Sequence, residues 1–364
     1  MAIARSDAEG SPAEPKSVTK IEGVQGEQNL AGPKGDTGAT ERQGDAGPQG
    51  DAGPQGEQGQ QGEPGDDGSS CPTVPATYPQ GPSCDGGLTC NEESCCASLL
   101  VEGGSYYRHE VDASYPATVS DFCMDKYEVT VGRFKKFVAA YEAWRAAGNP
   151  QANAGRHAPD ADTGWDTSWN TLLPASASAF EARLQPGLSV FSYETWSAGQ
   201  ANLPIHCVDW YEAFAFCIRD GGRLATEAEW EYAAGNGDQN WKYRWGNTPE
   251  PSNDYAVFDC FWSGDGDATY CTLEDIAPVG SAPNGDGRWG QSDLAGSMWE
   301  WVFDYYASYP AKCRNYANSS GSYRVYGGGS LYSDAANLAA SRRGVYYSPI
   351  ILTSVLGVRC VRTP

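Results

Sequence analysis

The sequence predicts a chain of two parts: a triple-helical N-terminal stalk and a C-terminal domain that mixes helices and strands with much irregular structure. Two observations predict this division. Glycine recurs at every third residue near the N-terminus, which is the repeat of a triple helix. The 364 residues also contain 44 Gly, 12 Trp and 21 Tyr. That composition favours an aromatic core joined by many loops over a helical bundle.

The stalk is predicted over residues 23–68. Glycine fills fourteen of sixteen positions in one three-residue register there, and Asn29 and Glu41 fill the other two. Only glycine fits the axis where three polyproline-II strands meet, so the register predicts a collagen-like triple helix and hence a homotrimer. A glycine-rich linker is the alternative, but such a linker would not keep this phase. Residues 1–22, which are polar and rich in Pro, Ala and Glu, are predicted to be disordered.

The cysteines indicate an oxidising compartment. Residues 69–97 hold five of the twelve cysteines and too little apolar surface for a core. We therefore expect a disulfide-stapled neck between the stalk and a domain at 98–364. An even, high cysteine count without paired C-x-x-C motifs is typical of secreted or cell-surface proteins. A zinc site is the alternative, but His109, His157 and His206 are scattered and lack ligand spacing.

Charge and hydropathy exclude several classes of partner. A formal charge of −22 provides no basic surface for nucleic acid or for anionic membranes. No run of 18 or more apolar residues predicts a membrane span. No signal peptide is recognisable at the N-terminus, so the expectation of export depends on the cysteines alone.

Three helices are predicted in the C-terminal domain. Apolar residues recur at helical spacing over 129–141 and again over 210–217. Thr226, with Glu229 three residues later, forms a capping box that opens the third helix. The polar stretch 145–200, rich in Pro, Gly and Ser, is predicted to form long surface loops.

Five sequence motifs occur in a characteristic order. They are Asp125-Lys-Tyr-Glu-Val-Thr-Val-Gly-Arg-Phe134, Leu203-Pro-Ile-His-Cys-Val-Asp-Trp-Tyr-Glu-Ala213, Gly222-Arg-Leu-Ala-Thr-Glu-Ala-Glu-Trp-Glu-Tyr-Ala-Ala234, Asp293-Leu-Ala-Gly-Ser-Met-Trp-Glu-Trp301, and Gly327-Gly-Gly-Ser330 followed by Leu356-Gly-Val-Arg-Cys360. Together they resemble the formylglycine-generating enzyme (sulfatase-modifying factor) domain family over roughly 98–364. The resemblance implies an α+β, C-type-lectin-like formylglycine-generating-enzyme fold with much irregular structure.

The resemblance also bears on the disulfides. It implies a bridge between Cys217 and Cys360, which are paired in the family. Cys123 and Cys207 lie in motifs that are adjacent in the family fold, so we expect them to pair. Cys260 and Cys271, in one loop, are a plausible third pair. Cys313 is then left for the neck, whose pairing stays open: Cys71, Cys84, Cys90, Cys95 and Cys96.

The resemblance also implies a calcium site; a second calcium site of the family, expected around 255–275, has no convincing ligand match here. In the family the side chains at Asp293 and Glu300, and the carbonyl groups at Gly296 and Met298, bind Ca²⁺. Oxygen ligands suit this hard cation. The alternative is that Glu300 caps a backbone or pairs with an arginine.

The family's catalytic positions are altered in this chain. Formylglycine generators carry two cysteines shortly after Gly-Gly-Ser, which bind copper and oxidise a sulfatase cysteine. The matching positions here are Ser333 and Leu338, which cannot hold Cu(I) because this soft ion needs thiolates. The formylglycine reaction is therefore not expected, and no catalytic residue is assigned. A related branch of sulfoxide synthases uses iron held by histidines on a helical domain that this chain lacks.

The surface at 323–358, called the tyrosine face below, is predicted to bind a protein or glycan ligand. Tyrosine-rich loops give large contact area at low entropic cost. The apolar run 350–356 either belongs to this face or is buried core. The candidate ligand-binding residues are Tyr332, Ser333, Asp334, Asn337, Arg343, Tyr346 and Tyr347.

Three functions fit these observations. The favoured one is a secreted or surface-displayed trimer whose catalytically inactive heads bind a ligand through the tyrosine face. An enzyme of the same family with altered metal-dependent oxidation chemistry is the second. A structural component of a surface filament is the third. Stoichiometric copper or iron in the purified protein would favour the enzyme.

Overall fold

The structure is a computed structural model, and it describes residues 83–84, 86–108, 114–157, 163–185, 194–248, 250–264, 271–311, 313–345 and 347–364. The chain divides into two compact units, Met1–Asp67 and Gly68–Pro364. The predicted disordered N-terminus and stalk, and the first part of the neck, lie outside the described residues. All the geometry below therefore concerns the second unit.

Short strands, arranged in small sheets, form the framework of the C-terminal domain at 98–364, called the head below. The strands of the described residues are β1 (Thr89–Cys90), β2 (Glu93–Ser94), β3 (Ser98–Val101), β4 (Gly104–Tyr107), β5 (Pro116–Val119), β6 (Phe122–Asp125), β7 (Arg223–Leu224), β8 (Trp299–Tyr305), β9 (Cys313–Arg314), β10 (Arg324–Gly327), β11 (Arg343–Gly344), β12 (Leu356–Gly357) and β13 (Cys360–Arg362). One sheet has the order β3-β6-β13-β7 and a second the order β11-β10-β8-β12. A third joins β4, β5 and β9, and β1 pairs with β2 alone.

The helices begin where the sequence places capping residues. They are α1 (Val131–Ala146), α2 (Ala177–Leu184), α3 (Trp210–Arg219) and α4 (Glu227–Ala234). The predicted capping box of Thr226 and Glu229 is present at α4, and Asp209 with Glu212 forms another at α3. Each box satisfies backbone donors that a helix start leaves unpaired. The three predicted helices are therefore present, within a few residues of their predicted ends.

Aromatic side chains fill the core between the helices and the second sheet. Phe134 of α1 stacks on Phe216 of α3, with ring centroids 5.2 Å apart. The Trp210 indole N–H donates to the Val302 carbonyl at 2.8 Å, and the Trp301 indole N–H donates to the Val208 carbonyl at 3.1 Å. These two hydrogen bonds fasten the start of α3 to β8 and leave no buried indole donor unpaired there.

The expectation of surface loops over 145–200 is wrong for part of that stretch. It contains α2, and it buries Trp165, Phe180 and Leu184 in the main core. Ala177, Phe180 and Leu184 do have helical spacing, but the pattern covers only two turns within a polar stretch. Among the described residues, no helix is long and apolar enough to cross a membrane.

The end of the neck packs on the head and is tied by two disulfides, Cys84–Cys96 and Cys90–Cys95. Ser83 adds a polar contact, because its hydroxyl oxygen accepts a hydrogen bond from Arg133 Nε at 3.1 Å. Cys90 and Cys95 also pack against Tyr127 and Val279. This part of the neck is therefore continuous with the domain.

Two of the expected disulfides of the head occur in the structure: Cys217–Cys360 and Cys260–Cys271. The first ties α3 to β13. A bridge that closes so long a loop stabilises the fold by about 3–5 kcal/mol in the chain-entropy model.

The expected pairing of Cys123 with Cys207 is wrong. Cys123, in β6, is disulfide-bonded, whereas Cys207 is a buried thiol that lies 3.0 Å from His206 Nδ1. The two motifs do meet, but β6 bonds to β3 and β13, while the Cys207 amide donates to the Thr353 carbonyl. The expectation for Cys313 also fails, because it is a buried thiol in β9 and not a partner of the neck.

Candidate functional site

The turn after β10 begins the candidate site, and its glycines are required by close contacts. A Cβ on Gly327 would lie 2.6 Å from the Trp230 ring, and one on Gly329 would lie 2.8 Å from Leu338 Cδ2. Gly328 and Gly329 also have φ angles of 109° and 80°, which L side chains rarely adopt. The Gly-Gly-Gly-Ser segment is thus packed directly on α4 and on the following turn.

Ser333, which the resemblance assigns to the first copper position, is buried and already hydrogen-bonded. Its hydroxyl oxygen accepts the Ser330 amide N–H at 2.9 Å and lies 3.3 Å from Ser330 Oγ. The backbone around it is held by the next loop: Asp259 N–H donates to the Ser333 carbonyl, and Cys260 N–H donates to the Leu331 carbonyl. The Cys260–Cys271 bridge therefore braces this turn.

Leu338, which the resemblance assigns to the second copper position, is completely buried. Its side chain packs in a small apolar cluster with Tyr243, Phe258 and Ala295. The position therefore presents no donor atom and no surface to a ligand. It has instead a purely structural contact with its neighbours.

A buried cation, Arg244, lies beside Leu338 and was missed by the sequence analysis. Its Nη1 donates to the Leu338 carbonyl oxygen, while its Nε and Nη2 have no hydrogen-bond partner. Burial lowers the pKa of Arg244 to about 9. No ion-pair partner for Arg244 exists among the described residues, and only its position between Tyr243 and Trp245, two aromatic residues, hints that it is buried.

Asp293 and Glu300, which the resemblance assigns to a calcium site, lie in a buried cluster of carboxylates. Glu300 Oε1 accepts from Arg359 Nε at 2.9 Å, and Glu300 Oε2 accepts from the Trp230 indole at 2.7 Å. Asp293 Oδ2 accepts the Gly280 N–H at 2.6 Å. Glu300 therefore pairs with an arginine, which is one of the roles expected for it if it does not bind calcium.

Electrostatics of this cluster leave an excess of acid. Burial, together with repulsion from Asp293 and Glu300, raises the pKa of Glu128 well above its ordinary value. Burial is also the main reason that the pKa of Asp293 rises to about 6. Arg359 pairs with Glu300 at 2.8 Å, so among the described residues one of these three carboxyl groups has an arginine partner. Among the described residues, however, no three His, Cys, Asp or Glu side chains are arranged to hold a metal ion.

The candidate ligand-binding residues fall into two groups. Ser333, Asp334 and Asn337 share one turn, in which the exposed Asp334 carboxylate accepts from the Asn337 backbone and side-chain amides. Tyr332 precedes them and is half-buried. These four residues can contact one ligand only at the rim of the turn, since Ser333 is buried.

The second group lies on the other side of β10. Arg343 pairs with Glu227, and its guanidinium lies 4.5 Å from the centroid of the Tyr306 ring. Tyr347 stacks on Tyr326, with centroids 5.2 Å apart. Tyr346 lies outside the described residues. Arg343 is thus part of an ion pair in the fold and not a free ligand contact.

Two exposed tyrosines extend the tyrosine face beyond the candidate residues. Tyr306 and Tyr323 are about half exposed, at 48% and 50%, and the Tyr306 N–H donates to the Tyr323 carbonyl at 2.8 Å. The apolar run is divided: Ile350 is exposed, 351–353 are half-buried, and 354–356 are buried. The exposed part of the face is therefore centred on tyrosines at the end of the second sheet.

Small sheets joined by long irregular segments, with a glycine turn after β10, define a formylglycine-generating-enzyme-like domain of α+β, C-type-lectin-like fold. The family model of the sulfatase-modifying factor enzyme 1-like domain matches residues 88–364, and the chain belongs to this family. A model of the collagen triple helix repeat matches residues 21–76.

The similar proteins include some that are named as formylglycine-generating enzymes and some that are named as inactive ones. The formylglycine-generating enzyme of Mus musculus is 31% identical over 277 residues, which cover 68% of each chain. That of Streptomyces coelicolor is 35% identical over 44% of this chain and 53% of its own. The inactive C-alpha-formylglycine-generating enzyme 2 of Mus musculus is 36% identical over 29% of this chain and 33% of its own. Among solved structures, Treponema denticola variable protein 1 superposes with a TM-score of 0.48 at 21% identity, covering 73% of this chain and 95% of that chain.

Proposed function

We propose that this protein is a secreted or surface-displayed homotrimer whose heads bind a protein or glycan ligand and do not perform the formylglycine reaction. One observation carries the proposal. At the two family copper positions, Ser333 hydrogen-bonds within its own turn and Leu338 is buried among apolar side chains. A Cu(I) ion needs thiolate ligands, and neither residue supplies one.

The compartment and the stoichiometry have separate support. The bridges of the head and the neck, together with the collagen repeat, fit an extracellular protein. A triple-helical stalk brings three heads together, and linked binding sites gain avidity without any new contact. One relative, of Mus musculus, is named an inactive formylglycine-generating enzyme, and a similar loss of activity is proposed for this chain.

The ligand surface is proposed to be the exposed part of the tyrosine face. Tyr323 offers a large amphipathic side chain on the rigid end of β10, which limits the entropy lost on binding. Protein and glycan arrays probed with the intact chain test this proposal. We expect Tyr323→Ala to lose the array signal and Tyr107→Ala, an equally exposed tyrosine of β4, to keep it. Equal loss in both variants, or no specific signal from the unmodified chain, would contradict the proposal.

The trimer itself is tested by Gly53→Ala, which lies in the uninterrupted glycine run outside the described residues. A methyl group has no room at the axis of a triple helix, so we expect the trimer to dissociate at a lower temperature. Analytical ultracentrifugation measures this, and Gln55→Ala, which keeps the register, is the matched control. We also expect the apparent affinity on the arrays to fall by about tenfold or more when avidity is lost. A monomeric unmodified chain would rule out the trimer.

Calcium is proposed to bind through the side chains of Asp293 and Glu300 and the carbonyls of Gly296 and Met298. The buried excess of carboxylates over arginine at this place supports the proposal. Calcium would neutralise that excess, and no step of any reaction is assigned to it.

Asp293→Asn is the variant that tests calcium binding, because Glu300→Gln would also leave Arg359 without its partner. We expect Ca²⁺ to raise the Tm of the unmodified protein and to raise that of the variant less. At a free Ca²⁺ concentration of a hundred times Kd, binding would add about 2.7 kcal/mol to the free energy of unfolding. In chelator at pH 8, Asp293→Asn is expected to cost no stability. The folded protein pays to bury the ionised Asp293 carboxylate at this pH, and the neutral asparagine side chain removes that cost. Asp334→Asn removes an exposed charge as the control. Equal Ca²⁺ shifts in all three proteins would refute the site.

A further inference from the structure

A second concave site lies on a part of the head that the proposed function does not use. The pocket is formed by the 153–156 loop, the end of α3, the turn into β7, and the end of β13. Its volume is about 300 Å³. None of the described side chains that line it is acidic, and three are arginines: Arg156, Arg223 and Arg362. A cationic pocket is unexpected in a chain of net charge −22.

Two of these arginines are held rigidly by carboxylates behind the pocket. Arg223 makes a bidentate pair with Glu229, with N–O distances of 2.6 and 2.7 Å, and Arg362 pairs with Asp125. Both arginines are more than nine-tenths buried, and Arg223 Nε and Arg362 Nη2 have no hydrogen-bond partner. These two donor atoms are inaccessible to solvent, so Arg223 and Arg362 act on an anion in the pocket through their charge and not through these donors.

The local charge is positive even after these pairs are counted. Among the described residues, four arginines of the pocket and its supporting ion pairs stand against three carboxylates: Arg133, Arg156, Arg223 and Arg362 against Asp125, Asp220 and Glu229. Arg156 is exposed at the pocket. An anion would therefore meet a net attractive field in this pocket.

The backbone does not cancel this charge. The carboxyl end of a helix carries a partial negative charge, and α3 ends at the pocket. The Gly222 N–H donates to the Cys217 carbonyl at 2.8 Å, and the Gly221 N–H donates to the Ile218 carbonyl at 3.0 Å. These bonds occupy the carbonyl groups that would otherwise face an incoming anion.

We propose that this pocket binds an oxyanion, the carboxylate or sulfate group of an acidic ligand, through Arg156 with the field of Arg223 and Arg362. Guanidinium groups match such anions because their planar N–H donors meet two oxygens at once. The site is separate from the tyrosine face, so it would stand even if that face bound nothing.

Equilibrium dialysis of the intact chain with radiolabelled sulfate, in chloride buffer of constant ionic strength, tests the proposal. We expect saturable binding of one sulfate per chain. Competition with unlabelled acetate and phosphate distinguishes the sources, because displacement by acetate at comparable concentration indicates a carboxylate ligand. No saturable binding of sulfate or acetate above the chloride background would overturn the site.

Two matched variants locate the bound anion. Gly221 has a φ of 76°, which Asp and Asn both tolerate better than other residues. Gly221→Asp places a negative charge at the pocket and is expected to weaken sulfate binding about tenfold, whereas Gly221→Asn should bind as the unmodified chain does. Arg156→Gln should also weaken binding, and its exposure makes misfolding no concern. Equal affinity in Gly221→Asp and Gly221→Asn would overturn the assignment.

Discussion

Replacing Arg133 with methionine is expected to lower the free energy of unfolding of the head by about 3–5 kcal/mol, the usual cost of breaking a buried ion pair. Arg133 is fully buried in α1. Its Nη1 lies 2.9 Å from Asp125 Oδ2, and its Nη2 lies 3.0 Å from Asp220 Oδ2. The methionine would remove one of the two arginine partners of each carboxylate, since Asp125 also pairs with Arg362 and Asp220 also pairs with Arg219. Denaturant unfolding under oxidising conditions, followed by circular dichroism, measures the loss.

Arg244→Met is the matched control, because it removes a buried arginine of the opposite kind. Arg244 has no ion-pair partner among the described residues, and burial lowers its pKa to about 9. Its replacement leaves no carboxylate unpaired, and the removed cost of burying a charge offsets the lost hydrogen bond to the Leu338 carbonyl. We expect a change near zero or a gain in stability. Equal losses in Arg133→Met and Arg244→Met would mean that packing of the side-chain stem, and not ion pairing, determines the cost.

These two arginines also mark the limits of what the sequence can predict. The helix starts were predictable because a capping box is a local pattern of four residues, as at Thr226 and Glu229. The family resemblance supplied the bridge between Cys217 and Cys360. Nothing in the neighbourhood of Arg133 or Arg244 along the chain says that one meets two carboxylates and the other none. Ion-pair partners come from distant segments, such as Asp220 for Arg133.

The same reason explains the errors at the candidate site. The sequence shows how many tyrosines lie over 323–358, but the position of Arg343 in the chain could not reveal that Glu227, 116 residues away, binds it. Cys123 and Cys207 lie in neighbouring motifs, yet Cys123 is disulfide-bonded elsewhere and Cys207 stays a buried thiol. By contrast, the loss of the copper ligands needed no structure, since it depends on residue identity at Ser333 and Leu338. The structure adds that Leu338 is closed to any ligand.

The unmodified chain is expected to be inactive in the formylglycine reaction. A sulfatase-type Cys-x-Pro-x-Arg peptide incubated with the unmodified chain, with or without copper and reductant, should keep its thiol. Ser333 has only a hard hydroxyl that already accepts the Ser330 N–H, and Leu338 has no donor atom. Mass spectrometry of the peptide decides the matter. Conversion of the thiol to an aldehyde would refute the inactive head.

Ser333→Cys combined with Leu338→Cys is expected to change Cu(I) binding from none to about one ion per chain. The glycine turn and its bracing disulfide are already in place. The unpartnered Arg244 Nε and Nη2 are near position 338, where a cation favours the thiolate form of a cysteine. Leu338→Cys removes core volume and should cost about 1–3 kcal/mol, so unfolding is measured alongside. Competition with a Cu(I) chelator measures affinity, and Ser333→Ala with Leu338→Ala is the control. A folded double-cysteine variant that binds no more Cu(I) than this control would mean that the turn itself, and not only its two side chains, has lost the copper geometry.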